Sequence, residues 1–155
     1  MENPYQSPAT TEADDEGTQS LRPDGTRNAT QGNRFVNYLI DYVVTSILSY
    51  AGGFALGAAL VDSVDEQQLA ILGGILGFAI YIFYYVVLEI ACGKTLGKMA
   101  TRTRVVDADG NPPSAGQILG RTLARLIPFE PFSYLFGDTT RGWHDGLSKT
   151  YVVKD

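Results

Sequence analysis

Asp41 lies inside an apolar run, "FVNYLIDYVVTSILSYAGGFALGAALV" (35–61), that opens directly after Arg34. A carboxylate at the centre of a hydrocarbon-embedded helix costs about 2.5–3.5 kcal/mol on insertion scales, so an acid held there needs a compensating interaction. Glu89 repeats the situation near the end of a second apolar run, 69–92. Two such acids facing one another would hold a proton between them or bind a monovalent cation. The competing chemistry is pairing. Arg34 stands two turns from Asp41, and Arg121 and Arg125 come from a later helix, so each carboxylate has an arginine within reach. Paired in that way the charges would fix a helical bundle and do nothing more. For the charges themselves, pairing ranks ahead of proton or cation handling.

Other motifs promise chemistry and withdraw it. "CGKTLGK" (92–98) invites a phosphate-loop reading, but the position five before Gly93 is Leu88, and an apolar span stands where strand and glycine loop belong. Its plainer reading is a basic, glycine-broken exit from the second span, with lysines near anionic headgroups. "DADG" (107–110) lacks the remaining ligands of a calcium loop and reads as a turn. His144 has no cysteine or serine-nucleophile motif beside it, and Cys92 is alone, so neither a zinc site nor a disulfide is expected. No cofactor, metal or nucleotide is called for, and the basic residues do not form a nucleic-acid stripe. An enzyme is not expected.

The elements that position these residues emerge from segregation along the 155-residue chain. Residues 1–33 carry six acids, two bases and almost no large aliphatic side chain, and account for most of the net charge of −5. Such a segment buries too little to offset its ordering entropy, which predicts a disordered acidic tail. The runs 35–61 and 69–92 contain no lysine or arginine. Each exceeds the roughly 20 residues needed to cross hydrocarbon, so both read as transmembrane helices joined by the acidic loop "DSVDEQQ". Arg22, Arg27 and Arg34 precede the first span, and Lys94, Lys98, Arg102 and Arg104 come after the second. The positive-inside rule then places both termini in the cytoplasm of a multi-pass protein of the cell membrane.

Within the spans, Arg34, Asn37, Tyr38, Asp41 and Thr45 share one helical face, matched on the second span by Gly77, Tyr81, Tyr85 and Glu89. At about 1.5 Å per residue, Asp41 and Glu89 lie roughly 9 and 5 Å inside the same side of the bilayer. Gly53 with Gly57, and Gly73 with Gly77, have the small-xxx-small spacing that lets helices approach closely, at matching depths near the outer ends. Downstream, "TRTRVV" alternates like a strand and could pair with "KTYVV". "SAGQ" (114–117) has capping-box spacing ahead of "ILGRTLARLI", whose apolar residues leave Arg121 and Arg125 on the other flank. Pro128, Glu130 and Pro131 interrupt the apolar and aromatic residues up to Phe136, so 114–136 reads as an interfacial or re-entrant segment rather than a third span. The fold class is mostly α and integral to the membrane: a two-span hairpin, an amphipathic or re-entrant third segment and a short cytoplasmic β element.

Taken together, Arg34, Asp41, "GKTLGK", "RVVDADGNPPS", "GRTLAR" and "RGWHDGLSKTYVV" resemble the RDD family of membrane proteins over about residues 33–153. The resemblance makes 34–153 one RDD-like domain and matches the family's arginine and two aspartates to Arg34, Asp41 and Asp145. It implies a multi-pass domain of largely undefined activity, to which transport of ions or undefined ligands and roles in membrane complexes have been attributed. The function expected is therefore transport-related, through Asp41 and Glu89. Two spans cannot enclose a pathway, so a homo-oligomer or a membrane partner is required. The competing expectation is a non-catalytic membrane scaffold or assembly subunit.

Overall fold

A computed structural model describes residues 25–127 and 143–155. Most of the acidic tail and the proline-broken part of the third segment lie outside the described residues. α1 runs Gln31–Leu60 and begins at Thr30, whose hydroxyl accepts from the Asn33 amide at 3.2 Å. α2 runs Glu66–Cys92, capped by Asp65 accepting from the Gln68 amide at 2.7 Å. These caps satisfy amides that have no partner within the helix, and so start each helix before its apolar run begins. Gly93 ends α2 in the left-handed conformation, at φ 66°, which a residue without Cβ adopts freely.

Both helices are long and apolar enough to cross a membrane, and only 6% and 11% of their most apolar stretches are buried. Large side chains face outward: Tyr50 and Phe54 are each 81% exposed and Phe83 69%. Polar residues face inward: in α1 the buried residues are Arg34, Asn37, Asp41 and Thr45. Water as solvent would select the opposite arrangement, whereas hydrocarbon tolerates Leu and Phe outside but not an exposed carboxylate.

Beyond Gly93 the chain makes a short helix α3 (Leu96–Ala100), strand β1 (Thr103–Val106), α4 (Ala115–Ala124), α5 (Trp143–Leu147) and strand β2 (Tyr151–Lys154). β1 and β2 are antiparallel, with Thr103 opposite Lys154 and Val106 opposite Tyr151. Asn28, just before α1, bridges to Val153, and the Ala29 amide donates to the Val152 carbonyl at 2.9 Å. The chain entering α1 is thereby tied to the chain beyond α2. Val105, Val106, Ile118, Val152 and Val153 form a small apolar core, each at most 2% exposed.

α4 carries the expected capping box, Ser114 and Gln117 bonding reciprocally. Its orientation is set by charge: Arg121 and Thr122 are buried while Leu119 and Leu123 are exposed. The arginines find carboxylates inside, and the leucines lie on the outer face.

The glycine expectation is corrected at Gly53, Gly57 and Gly73, whereas Gly77 does face α1. A Cβ at Gly53, Gly57 or Gly73 would meet nothing within 4 Å, and one at Gly77 would meet only Ser49, at 3.8 Å. The close approach is made by Gly52, where a Cβ would come within 3.0 Å of Ile80 and 3.4 Å of Leu76. The polar stripe 34–37–41–45 continues at helical spacing through 49 and 52, so it fixes which face of α1 meets α2. Gly53 and Gly57 stand one residue further round, about 100° off that face.

Candidate functional site

The buried face of α1 is a seam of polar contacts, and each side chain in it reaches a different downstream element. Arg34, in the first turn, donates through Nη1 to Asp145 of α5. Asp145 is fully buried and takes a second guanidinium, Arg121 of α4, with His144 Nε2 3.2 Å away. Arg121 also donates to the Thr150 hydroxyl at 2.5 Å, and its Nε lies 3.4 Å from Glu89. Glu89, 1% exposed, is held by Lys98 at 2.5 Å and by Arg125 at 2.6 Å. Arg125 in turn lies over the Tyr85 ring, 4.2 Å from its centroid, where the π face favours a cation. One continuous chain of charges therefore runs Arg34–Asp145–Arg121–Glu89 and ends on Lys98 and Arg125.

Asp41 stands apart from that chain. Its carboxylate accepts from the Tyr84 hydroxyl at 2.6 Å, the Thr95 hydroxyl at 2.6 Å and the Gly97 amide at 2.8 Å. All three donors are neutral, and two come from the loop and first turn of α3. One turn earlier on α1, Asn37 meets the Thr101 hydroxyl and lies 3.1 Å from that of Thr103. With its amide nitrogen turned toward the Gly97 carbonyl at 2.9 Å, every polar atom of the group is satisfied. This contact is backbone against backbone: a Cβ at Gly97 would come within 2.9 Å of the Asn37 Cα. Only glycine fits there.

Several expectations change accordingly. Arg34 does not pair with Asp41; its partner is Asp145, 111 positions away, because Asp41 is already saturated by Tyr84, Thr95 and Gly97. Asp41 and Glu89 share no hydrogen bond among the described residues, because Lys98, Arg121 and Arg125 surround Glu89. "GKTLGK" is not a surface exit whose lysines all face headgroups: Lys98 is 4% exposed and belongs to the charged chain. Thr95, Gly97, Lys98 and Tyr84 were absent from the sequence-derived site. The available signal was Thr95 three residues before Lys98 with Gly97 between, the spacing of a helix cap against a close approach.

Burial disfavours the charged form of Lys98 more than Glu89 supports it, with Arg125 and Arg121 adding repulsion, and its amine is brought down to about 8. Burial would raise the Asp145 carboxyl, but Arg34, His144 and Arg121 together hold it well below the usual carboxylate range. Beside these groups lies a cavity of about 60 Å³, whose lining includes Arg34, Asn37, Asp41, Lys98, Arg125 and His144. No cluster of metal-ligating side chains occurs among the described residues.

Long helices with their polar faces turned inward and their apolar faces outward define a membrane protein, here with a charged lock at one end of a helical hairpin. The chain belongs to the RDD family, whose family model matches residues 28–149. It is similar to the uncharacterized protein YxaI of Bacillus subtilis (strain 168), at 28% identity over 140 residues, covering 77% of this chain and 93% of that protein. No solved structure matches.

Proposed function

We propose that this RDD-family chain is a transport-related, multi-pass protein of the cell membrane. In this reading it handles protons or monovalent cations as a homo-oligomer or with a membrane partner, and is not an enzyme. Both termini lie in the cytoplasm and the acidic loop 62–68 outside, supported by the one-sided distribution of arginine and lysine. The observation that carries the reading is Asp41: a carboxylate 3% exposed, bonded among the described residues by neutral donors alone and lining a small cavity. No salt bridge among the described residues has to break before a proton or cation reaches this buried acid. Lys98, its amine near 8 and facing Glu89, Arg121 and Arg125, places a titrating group on the same cavity. Two spans cannot surround a pathway, so the conducting unit contains more than one chain.

Flux in reconstituted vesicles tests this. Asp41→Asn should accumulate and insert normally while cation-driven proton flux is lost. Flux equal to wild type in that variant, or none in the wild type, rejects the reading. Orientation is tested with a cysteine at position 63, in place of Ser63, on a Cys92→Ser background; labelling of that position only from the cytoplasmic side would overturn it.

A second reading, a non-catalytic scaffold or assembly subunit, is supported by Glu89 with its three cations. A carboxylate so enclosed holds α2 against α3 and α4. On this reading Glu89→Gln loses abundance and partner capture, whereas transport alone predicts a normally assembled chain without flux.

A further inference from the structure

The cavity at the charged end of the hairpin is unbalanced in two independent ways. Among the described residues, the buried side chains there comprise four cations, Arg34, Lys98, Arg121 and Arg125, against three carboxylates, Asp41, Glu89 and Asp145. One positive charge is in excess even with every acid ionised and His144 neutral. Hydrogen-bond donors are in excess too: among the described residues, four buried guanidinium nitrogens lack a hydrogen-bond partner against one carboxylate oxygen, Glu89 Oε2, and two of the four, Arg34 Nε and Arg125 Nη1, belong to residues on the cavity wall. Both side chains are at least nine-tenths buried, and both residues line the 60 Å³ cavity with Lys98 and His144. An unmet donor on a buried guanidinium is costly, and uncompensated buried charge more so; a bound anion would relieve both.

Size and surroundings narrow the anion. The cavity has room for roughly four waters, enough for a phosphate group, and guanidinium forks match phosphate oxygens. It also continues into a groove of about 600 Å³, with which it shares Tyr38, Tyr81, Tyr85 and Arg125. That groove tracks α1 from Tyr38 to Tyr50 and includes Thr45, Ser46 and Phe78. Twelve residues of helix rise about 18 Å, much of the length of an acyl chain. The cavity sits beside the first turns of α1 and the last turns of α2, where a bilayer crossed by these helices has its phosphates.

We propose that this cavity binds the phosphate of an anionic phospholipid, with one acyl chain lying in the groove between α1 and α2. Asp41 lines the same cavity but offers the phosphate no donor, and the lipid is tested separately from transport because neither variant below alters Asp41. Native mass spectrometry of the purified full chain, with phosphatidylglycerol, phosphatidylcholine or inorganic phosphate added, tests it. Phosphatidylglycerol should bind about tenfold tighter than phosphatidylcholine. Arg125→Lys keeps a cation opposite Glu89 but removes the spare N–H, and should abolish most of that preference. Ser46→Phe fills the groove away from the charges, and should weaken phosphatidylglycerol while sparing inorganic phosphate. Equal binding of the two lipids by the wild type overturns the proposal, as does an unchanged preference in either variant. Inorganic phosphate binding as tightly as phosphatidylglycerol, with Ser46→Phe silent, assigns the cavity to a free anion and overturns the lipid. The wild-type preference and Ser46→Phe decide the matter alone should Arg125→Lys fail to accumulate.

Discussion

Gly97→Ala adds one methyl group at the point where α3 touches α1. The new Cβ would lie 2.9 Å from the Asn37 Cα and 3.0 Å from its carbonyl carbon, both backbone atoms of a long helix that cannot swing aside. α3 must therefore move, and its movement stretches the 2.8 Å bond from the Gly97 amide to Asp41. Overpacking of this kind costs about 1–3 kcal/mol. Weakening a hydrogen bond to a buried charged group adds about 1.5–3 kcal/mol. The sum, roughly 2.5–6 kcal/mol, corresponds to a fall in Tm on the order of 10 °C for a chain of this size. Thermal unfolding of the detergent-purified protein, monitored by circular dichroism, measures it. Gly53→Ala is the matched control, since a Cβ there meets nothing and alanine is the better helix former by about 1 kcal/mol. If Gly97→Ala unfolds within 2 °C (about 1 kcal/mol) of Gly53→Ala, the seam between α1 and α3 is not as close as described and the reasoning fails.

Other perturbations probe the charged chain. Asp145→Asn leaves Arg34 and Arg121 facing a neutral group and should destabilise by about 3–5 kcal/mol, read as lost accumulation and a lower Tm. Exchanging Arg34 and Asp145 should restore part of that loss, whereas exchanging Arg34 and Asp41 should not; the reverse result would reassign the pair. For Lys98 the folded amine sits near 8 against an ordinary value of 10.5, so above pH 8 the unfolded chain binds the extra proton. Stability contributed at this position therefore rises with pH between about 8 and 10.5, against Glu89, Arg121 and Arg125 that face it. Lys98→Met should flatten that segment of the Tm–pH curve; an identical slope in the variant refutes the assignment.

The sequence made the local layer of this architecture legible. Long apolar runs free of lysine and arginine mark α1 and α2, the Ser114–Gln117 spacing marks the start of α4, and spacings of three and four mark the inward stripe from Arg34 to Thr45. The partners of those inward residues were not legible, because periodicity reports a face and not what lies opposite it. Arg34 and Asp41 share a face yet serve different elements, one reaching α5 and the other the cap of α3. Lys98 looked like a headgroup lysine because its neighbours are polar and glycine-rich, and only the fold brings it beneath Glu89. The small-xxx-small pattern misled for a related reason: spacing places Gly53 and Gly57 on one face, but the polar stripe decides which face meets α2.

Arg121 joins Glu89 to Asp145, and that bridge has a consequence in time. During synthesis, 111 residues separate Arg34 from the aspartate that neutralises it. At about 5–20 residues per second, roughly 5–20 s pass between the two leaving the ribosome. For that interval the newly inserted hairpin carries an open seam, with Arg34 and Glu89 waiting on segments not yet made.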